Sequence, residues 1–121
     1  MRYLSLIRID ETTGKQPSER LMTEMGKLID ELTRAGKMVR TAGLRPTAEG
    51  LRLRLGGGKV SRIDGPFTEA KEVIGGYAVL EAGSLEEAAE LTERFLLVHG
   101  DEWELECEVR PLDGPEMCGE E

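Results

Sequence analysis

The sequence contains few of the side chains that usually build metal centres and disulfide frameworks. Its 121 residues include two cysteines and one histidine, and the two cysteines have neither metal-ligand spacing nor the number that a disulfide scaffold needs. Aromatic residues make up only 4% of the chain, so Leu, Val, Ile, Ala and Met must supply most of the hydrophobic core. We therefore predict one modest domain without a metal site and without a cofactor.

Positive charge and long apolar runs are also scarce. The chain has 16 basic against 24 acidic residues, a net charge of −8, and its basic residues form no run. Because nucleic-acid binding depends on clustered Lys and Arg, we predict no direct binding of nucleic acid. No stretch approaches the roughly 18 apolar residues of a membrane span, and Arg8 and Asp10 follow the amino terminus too soon for a signal peptide. The sequence predicts a cytoplasmic protein that does not enter a membrane.

The first part of the chain predicts a strand, a helix and a second strand. Residues 2–9 carry apolar side chains on both faces, which is typical of a strand that is covered on both sides. Ser18 is a suitable helix cap, apolar residues then recur at helical spacing to Ala35, and Gly36 ends the helix in the left-handed conformation. Residues 37–44 form the next strand. Gly26 inside the helix would be explained by a close contact with a neighbouring element.

The rest of the chain predicts a hairpin, a strand, a second helix and a last strand. Leucines alternate with arginines over residues 51–55, and Gly56-Gly57-Gly58 turns the chain back through residues 60–63. Residues 73–82 are apolar on both faces, and the capping box Ser84-Leu85-Glu86-Glu87 begins a helix whose Leu85 faces the sheet. Glutamates alternate with apolar residues over 102–109. We predict a domain over residues 1–112 and an acidic carboxy-terminal tail over residues 113–121.

This order of elements predicts an α+β fold, a ferredoxin-like split βαβ with an inserted β-hairpin and an antiparallel sheet. Two helices can cover only one face of such a sheet, whereas the strands at 2–9 and 73–82 are apolar on both faces. The uncovered face therefore needs a partner. Two such sheets that meet face to face would form a symmetric homodimer.

The stretch from Asp64 to Tyr77 combines a turn, dense charge and the start of a buried strand. Gly65-Pro66 forces a turn, the Asp64 carboxylate can accept its backbone N–H groups, and Phe67 is an apolar plug beneath it. Thr68 can cap a short helical turn over residues 69–72. We expect any functional site of the protein to lie here.

The same residues carry a resemblance to a known family. Asp64-Gly65-Pro66-Phe67, followed by Glu69, Lys71-Glu72 and Gly76-Tyr77, resembles the signature of the DGPF branch of the YCII-related family. The similarity extends to Ala35-Gly36, Gly43-Leu44, Ser84 with Glu87-Ala88, and Val109-Arg110-Pro111, so it covers roughly residues 1–112. The resemblance implies a dimeric α+β barrel.

The resemblance does not bring a catalytic histidine with it. Proposed enzymes of the wider YCII-related family are thought to use a His–Asp pair whose histidine lies early in the first helix. The predicted helix from Ser18 to Ala35 contains no histidine, and His99 lies in a later loop, where we predict a surface position. The resemblance therefore does not support hydrolase or dehalogenase-like chemistry here.

Six residues are candidate ligand-binding residues, namely Arg8, Asp64, Phe67, Lys71, Glu72 and Tyr77. Asp64 is also the candidate catalytic residue, as a general base, although backbone hydrogen bonds at the turn would make it a poor one. Arg8 lies on an otherwise apolar strand face and needs a partner, either Asp64 or an anionic ligand. Lys71 and Glu72, with Glu69, can equally form a solvated turn with its own ion pairs.

Three functions fit these residues. The first is a dimeric small-molecule-binding domain, with or without weak enzyme activity, whose cleft is lined by Arg8, Asp64, Phe67 and Tyr77. The second is a regulatory or interaction protein, because some DGPF relatives are thought to be associated with extracytoplasmic-function sigma factors and transcription initiation. Its acidic surface would suit a basic protein partner. In the third, the Asp64 motif is only a turn of the fold. We favour the first.

Overall fold

The computed structural model describes residues 1–114, which form two helices, one four-stranded sheet and one separate hairpin. The elements are β1 (Arg2–Ile9), α1 (Glu19–Arg34), β2 (Met38–Gly43), β3 (Leu51–Gly56), β4 (Lys59–Asp64), β5 (Val73–Glu81), α2 (Leu85–Val98) and β6 (Glu106–Pro111). The sheet is antiparallel with the strand order β2-β5-β1-β6, and β3 pairs only with β4. This arrangement confirms the ferredoxin-like split βαβ with an inserted hairpin. Most of the predicted tail, with Cys118, lies outside the described residues.

Both helices begin where the sequence provides a side-chain cap. The Ser18 hydroxyl accepts the backbone N–H three residues later at 3.0 Å, and the Ser84 hydroxyl accepts that of Glu87 at 3.1 Å. The Glu87 carboxylate reaches back to the N–H of Gly83 at 2.7 Å, one residue before the cap. Gly36 follows α1 with a φ of 76°, the left-handed conformation that ends a helix. Neither helix of the described chain is long and apolar enough to cross a membrane.

The hydrophobic core lies between the two helices and one face of the sheet. Its buried members are Tyr3, Leu28, Leu32, Met38, Ala78, Leu80, Ala82, Ala88 and Leu91. As predicted, aliphatic residues supply most of this core. Leu85 does not join them: it is the first residue of α2 and its side chain is exposed.

The opposite face of the four-stranded sheet is not covered by the helices. The cross-strand neighbours Leu6–Tyr77 and Leu4–Val79 lie at its centre, and all four side chains are half-buried. Charged side chains of β2 and β6 border this apolar centre. We call this surface the uncovered sheet face. That a second copy covers it, as in the dimeric α+β barrel, stays a prediction.

Two local predictions were wrong, and one suggested explanation does not apply. Residues 69–72 form no helical turn, and Glu69 pairs with Arg52 of the hairpin. The last strand begins only at Glu106, since its neighbour β1 ends at Ile9 and leaves residues 102–104 without a strand to pair with. No close contact explains Gly26, because a Cβ built there would meet nothing within 4 Å.

Candidate functional site

The hairpin is joined to the sheet through a hydrogen-bonded network at its base. The Glu11 carboxylate accepts the N–H of Thr47 at 3.0 Å with one oxygen and the Thr47 hydroxyl with the other. The Thr47 hydroxyl in turn accepts the N–H of Phe67 at 3.1 Å. The N–H of Gly65 donates to the carbonyl oxygen of Gly50 at 3.0 Å. Three segments that are distant in the sequence therefore meet at the predicted motif.

Gly65 has to be a glycine because two backbone segments approach each other closely there. A Cβ added to it would lie 1.7 Å from the carbonyl oxygen of Thr47 and 2.6 Å from the carbonyl carbon. Backbone atoms cannot swing aside as the end of a side chain can. The turn predicted at Gly65-Pro66 is confirmed, with a cis peptide bond between the two residues. The contact that requires the glycine comes from a segment the sequence analysis did not connect to it.

A cleft of about 590 Å³ lies between the base of the hairpin and the end of the sheet. Its charged walls carry Arg8, Arg45, Arg52, Glu49 and Glu72, and its apolar walls carry Leu44, Leu51, Phe67, Val73 and Ile74. Small-molecule sites in proteins typically have volumes of about 300–1,000 Å³. We call this site the Arg8 cleft.

Arg8 stands near two carboxylates without being hydrogen bonded by them. Its Nε lies 3.6 Å from Oε1 of Glu72, and its Nη1 lies 3.7 Å from Oε1 of Glu108. Both distances are longer than a hydrogen bond, and the Arg8 side chain stays 40% exposed. Arg8 does have carboxylate partners, as predicted for a charge on an apolar strand, but Asp64 is not one of them. The guanidinium therefore keeps N–H donors for another acceptor in the cleft.

Phe67 contributes its ring both to the cleft and to the hairpin. The Cζ atom of Arg52 lies 3.9 Å from the centre of the ring, a cation–π contact. Nη1 of the same arginine donates to Oε2 of Glu69 at 2.9 Å. Phe67 is half-buried, so it is less enclosed than an apolar plug. Glu69 is exposed and ion-paired, as expected if it belongs to a solvated turn with its own ion pairs.

Asp64, Lys71 and Tyr77 do not line the Arg8 cleft. The Asp64 carboxylate is 71% exposed and accepts a hydrogen bond from Nε of Arg62 at 2.8 Å, rather than from the amides of the turn. Tyr77 lies on the uncovered sheet face. Lys71 and Glu72 line a second depression, of about 560 Å³, whose wall is mostly acidic. Of the six candidates, the cleft brings together Arg8, Phe67 and Glu72.

His99 is buried, so its predicted surface position was wrong. Only 9% of the residue is exposed, and its Nδ1 lies 3.0 Å from the carbonyl oxygen of Phe95. The imidazole packs edge-on against the rings of Phe95 and Trp103, with centroid distances of 5.0 and 6.4 Å. The residues that follow α2 fold back over the end of the helix and enclose the ring. His99 is part of the packing at this end of the molecule.

Residues 1–114 contain one free cysteine and no cluster of potential metal ligands. Burial raises the pKa of the half-buried Cys107 thiol, which disfavours the reactive thiolate. No group of three or more His, Cys, Asp and Glu side chains in this range could hold a metal ion.

The chain matches a known protein family over most of its length. The family model of the YCII-related domain covers residues 1–110. The chain belongs to the YCII-related family. An uncharacterized protein of Rhizobium meliloti (strain 1021) is 32% identical to this YCII-related chain over 116 residues, which are 93% of the chain and 92% of the relative. Placement in the DGPF branch of the family stays a prediction.

Three residues that shape the cleft were missed by the sequence analysis, namely Glu11, Thr47 and Arg52. Arg52 had a usable signal, because it alternates with leucines and so lies on the side of the strand opposite to theirs. Thr47 follows a proline turn, which indicates a loop but not a contact. The link between Glu11 and Thr47 spans 36 residues and left no local pattern.

Proposed function

We propose that this YCII-related protein is a homodimer that binds a small anionic molecule with an apolar body in the Arg8 cleft. One observation carries the proposal: Arg8 lines a cleft of suitable volume, and its carboxylate neighbours stand beyond hydrogen-bond distance at 3.6 and 3.7 Å. A ligand carboxylate can take up the planar donor fork of a guanidinium with two short, charge-assisted hydrogen bonds. A bound carboxylate could therefore form shorter hydrogen bonds with Arg8 than Glu72 and Glu108 do.

The charge of the cleft supports an anionic ligand. Three arginines and two glutamates line it, so its walls carry a net charge of +1 within a chain of −8. Arg45 and Glu49 are paired through two hydrogen bonds of 3.2 and 3.0 Å, which lower the pKa of the Glu49 carboxyl and keep this pair ionised. Arg52 is held by Glu69 outside the cleft. Arg8 is therefore the arginine best placed to receive an anion.

The apolar walls of the cleft define the rest of the ligand. Leu44, Leu51, Val73 and Ile74 lie beside the ring of Phe67. Small-molecule sites generally combine such walls with a few polar groups that set the orientation of the ligand. An aromatic or short aliphatic carboxylate satisfies both parts of this site.

The uncovered sheet face supports the proposed homodimer. Leu4, Leu6, Tyr77 and Val79 form an apolar centre that the two helices do not reach. A two-fold dimer would bury the same face of both copies, the commonest symmetry of soluble oligomers. Val79→Arg places a charge at the centre of this face. We expect it to convert dimers into monomers in sedimentation-velocity experiments; a wild type that sediments as a monomer would contradict this part of the proposal.

Isothermal titration calorimetry tests the ligand part. We would titrate the full chain with benzoate and with hexanoate, as probes of the two carboxylate classes. Arg8→Met should weaken binding by about tenfold or more, since it removes charged hydrogen bonds, and Arg8→Lys should recover only part of it. Arg34→Met, an exposed arginine on α1, is the matched control and should bind as the wild type does. Binding of neither probe, or equal binding by Arg8→Met, would overturn the proposal.

An interaction protein is the second candidate, favoured by the aliphatic side chains that the hairpin exposes. Leu53 and Leu55 are 66% and 72% exposed, and such residues mark contact surfaces when they are contiguous. Association with an extracytoplasmic-function sigma factor would appear as co-elution of the two purified proteins. Leu53→Ser would abolish that co-elution, whereas Arg8→Met would leave it intact.

A further inference from the structure

Two glutamates line the Arg8 cleft, and they differ in their partners. Glu49 accepts two hydrogen bonds from the guanidinium of Arg45. Within residues 1–114, the Glu72 carboxylate accepts no hydrogen bond, and its one ion pair is the long contact of 3.6 Å with Nε of Arg8. The side chain of Glu72 is 35% exposed. Glu72 therefore keeps its oxygen atoms available for a donor that enters the cleft.

Arg8 and Glu72 lie side by side because of the register of the sheet. Ile74 of β5 is the cross-strand neighbour of Arg8, and Glu72 comes two residues before Ile74. Since side chains alternate along an extended chain, residues two apart point to the same side. Both charges consequently face the cleft, where each is the nearest opposite charge of the other in the cleft walls.

A plain carboxylate bound to Arg8 would be repelled by Glu72. Charge-assisted hydrogen bonds to a guanidinium are about 2.7–2.9 Å long, and Oε1 of Glu72 lies 3.6 Å from Nε of the same guanidinium. The ligand carboxylate and the Glu72 carboxylate would thus share one positive charge at close range, where like charges repel. An ammonium group beside the ligand carboxylate would remove this repulsion, because it donates hydrogen bonds to Glu72.

The short distance between the two side chains limits how far apart the charges of such a ligand can be. In an α-amino acid the nitrogen and the carboxylate carbon are about 2.5 Å apart. One molecule can therefore reach Arg8 and Glu72 at the same time with hydrogen bonds of ordinary length. Its side chain then lies against the apolar walls of the cleft around the ring of Phe67.

We propose that the ligand of the Arg8 cleft is an α-amino acid with an apolar side chain, whose carboxylate binds Arg8 and whose ammonium group binds Glu72. The inference rests on the proposed function and narrows its ligand from carboxylates in general to α-amino carboxylates. Glu72 is then the residue that determines specificity. It disfavours a plain carboxylate and favours the same molecule with an amino group.

Isothermal titration calorimetry of the full chain with two matched probes tests the inference. L-Phenylalanine and hydrocinnamate differ only in the amino group on the α carbon. The wild type should bind L-phenylalanine about tenfold more tightly, since the ammonium group adds a charge-assisted hydrogen bond and removes the repulsion. Glu72→Gln should weaken the binding of L-phenylalanine and strengthen that of hydrocinnamate, so that the preference falls to about twofold or less.

Glu104→Gln is the matched control, because it removes the same charge outside the cleft. Glu104 is exposed and lines the second depression. The preference for L-phenylalanine should stay within about twofold of the wild-type value, since salt screens exposed charges. The Glu72→Gln chain should melt close to the wild type, because Glu72 makes only one long ion pair within residues 1–114.

The other outcomes separate this inference from the proposed function. If the wild type binds hydrocinnamate at least as tightly as L-phenylalanine, the α-amino acid is the wrong ligand class, whereas loss of hydrocinnamate binding in Arg8→Met would still support the proposed function. If the preference for L-phenylalanine survives in Glu72→Gln, Glu72 does not bind the ammonium group and the inference is wrong. If neither probe binds the wild type, both the proposed function and the inference are wrong.

Discussion

At the scale of single residues, a few backbone contacts around Thr47 set the shape of the Arg8 cleft. Thr47 donates its N–H and its hydroxyl to the Glu11 carboxylate, and its hydroxyl oxygen accepts the N–H of Phe67. Its carbonyl oxygen lies where a side chain of Gly65 would begin. The position of the Phe67 ring, and with it one wall of the cleft, depends on these contacts.

Gly65→Ala should therefore destabilise the protein. Its Cβ would meet backbone atoms of Thr47 at 1.7 and 2.6 Å, so one of the two segments must move. Overpacking of this kind costs about 1–3 kcal/mol, which urea denaturation would detect. Gly50→Ala is the matched control, because it has a φ of −120° and its nearest contact would be an ordinary 3.7 Å. Equal stability of both variants would contradict the close approach.

Asp64→Asn should leave stability almost unchanged. The Asp64 carboxylate is 71% exposed and, among residues 1–114, pairs only with Arg62, itself on the surface of the same strand. Exposed ion pairs contribute little, so we expect a change within about 0.5 kcal/mol by thermal denaturation. A large drop in melting temperature would show instead that Asp64 ties the turn, as the third sequence interpretation holds.

The sequence indicated that Arg8 has charged partners, but not which ones. Arg8 was selected because a charge on an apolar strand needs a counter-charge, and Glu72 and Glu108 lie near it. Its partners could not be predicted, since Glu108 becomes a neighbour only when β6 pairs with β1. Asp64 differs, because its partner Arg62 lies two residues earlier on the same face of the same strand, a contact that the period of two along a strand could have indicated.

At the scale of elements, α1 is well capped but carries an avoidable weakness. Gly26 lies in its interior, exposed, and a Cβ there would touch nothing. Gly26→Ala should stabilise the protein by about 1 kcal/mol, because alanine is the better helix former by that amount. Gly36→Ala should do the opposite, since Gly36 has a φ of 76°. Guanidinium denaturation would measure the unfolding free energy of both variants. An unchanged or lowered stability of Gly26→Ala would contradict the finding that a Cβ at this position meets nothing.

The Glu102 carboxylate joins the segment before β6 to the start of α1. Its hydrogen bonds should make the stability of the fold depend on pH. Glu102 accepts hydrogen bonds from Ser18 at 2.6 Å and Arg20 at 2.8 Å, and these lower its pKa below the ordinary 4.5. A lowered folded-state pKa stabilises the fold above pH 4.5 and loses that effect as the pH falls through the folded value.

The melting temperature should accordingly fall as the medium is acidified below pH 4.5. Glu81 and Glu87 contribute in the same direction, because hydrogen bonds from the terminal amine and from Lys37, respectively, lower their pKa values. Glu102→Gln should show a shallower decline than the wild type. The control is Glu90→Gln on the exposed side of α2. A decline that is equally steep in Glu102→Gln would contradict the role of Glu102.

The ends of helices and strands could be predicted where the residues that determine them are close together in the sequence. Ser18, Gly36 and Ser84 mark helix ends through contacts within four residues, and each was placed correctly. The start of β6 was missed because a strand exists only where a neighbour runs beside it. His99 was misplaced for a related reason: a loop pattern does not reveal that Trp103 folds back over the ring.

At the scale of the whole molecule, three features meet at the hairpin. Its base closes the Arg8 cleft, its side chains of Leu53 and Leu55 are exposed, and its residues 51–64 carry a charge of +3 in a chain of −8. The proposed ligand site and the exposed leucines that favour an interaction partner therefore lie on the same hairpin.

The most direct measurement of the central claim is a two-dimensional ¹H–¹⁵N NMR titration of the full chain with benzoate. Binding in the Arg8 cleft predicts saturable shifts of the amides of Arg8, Phe67, Glu72 and Ile74, and their loss in Arg8→Met. Saturable shifts confined to the residues around Trp103 and Lys71, or no saturable shifts at all, would show that the Arg8 cleft is not the binding site.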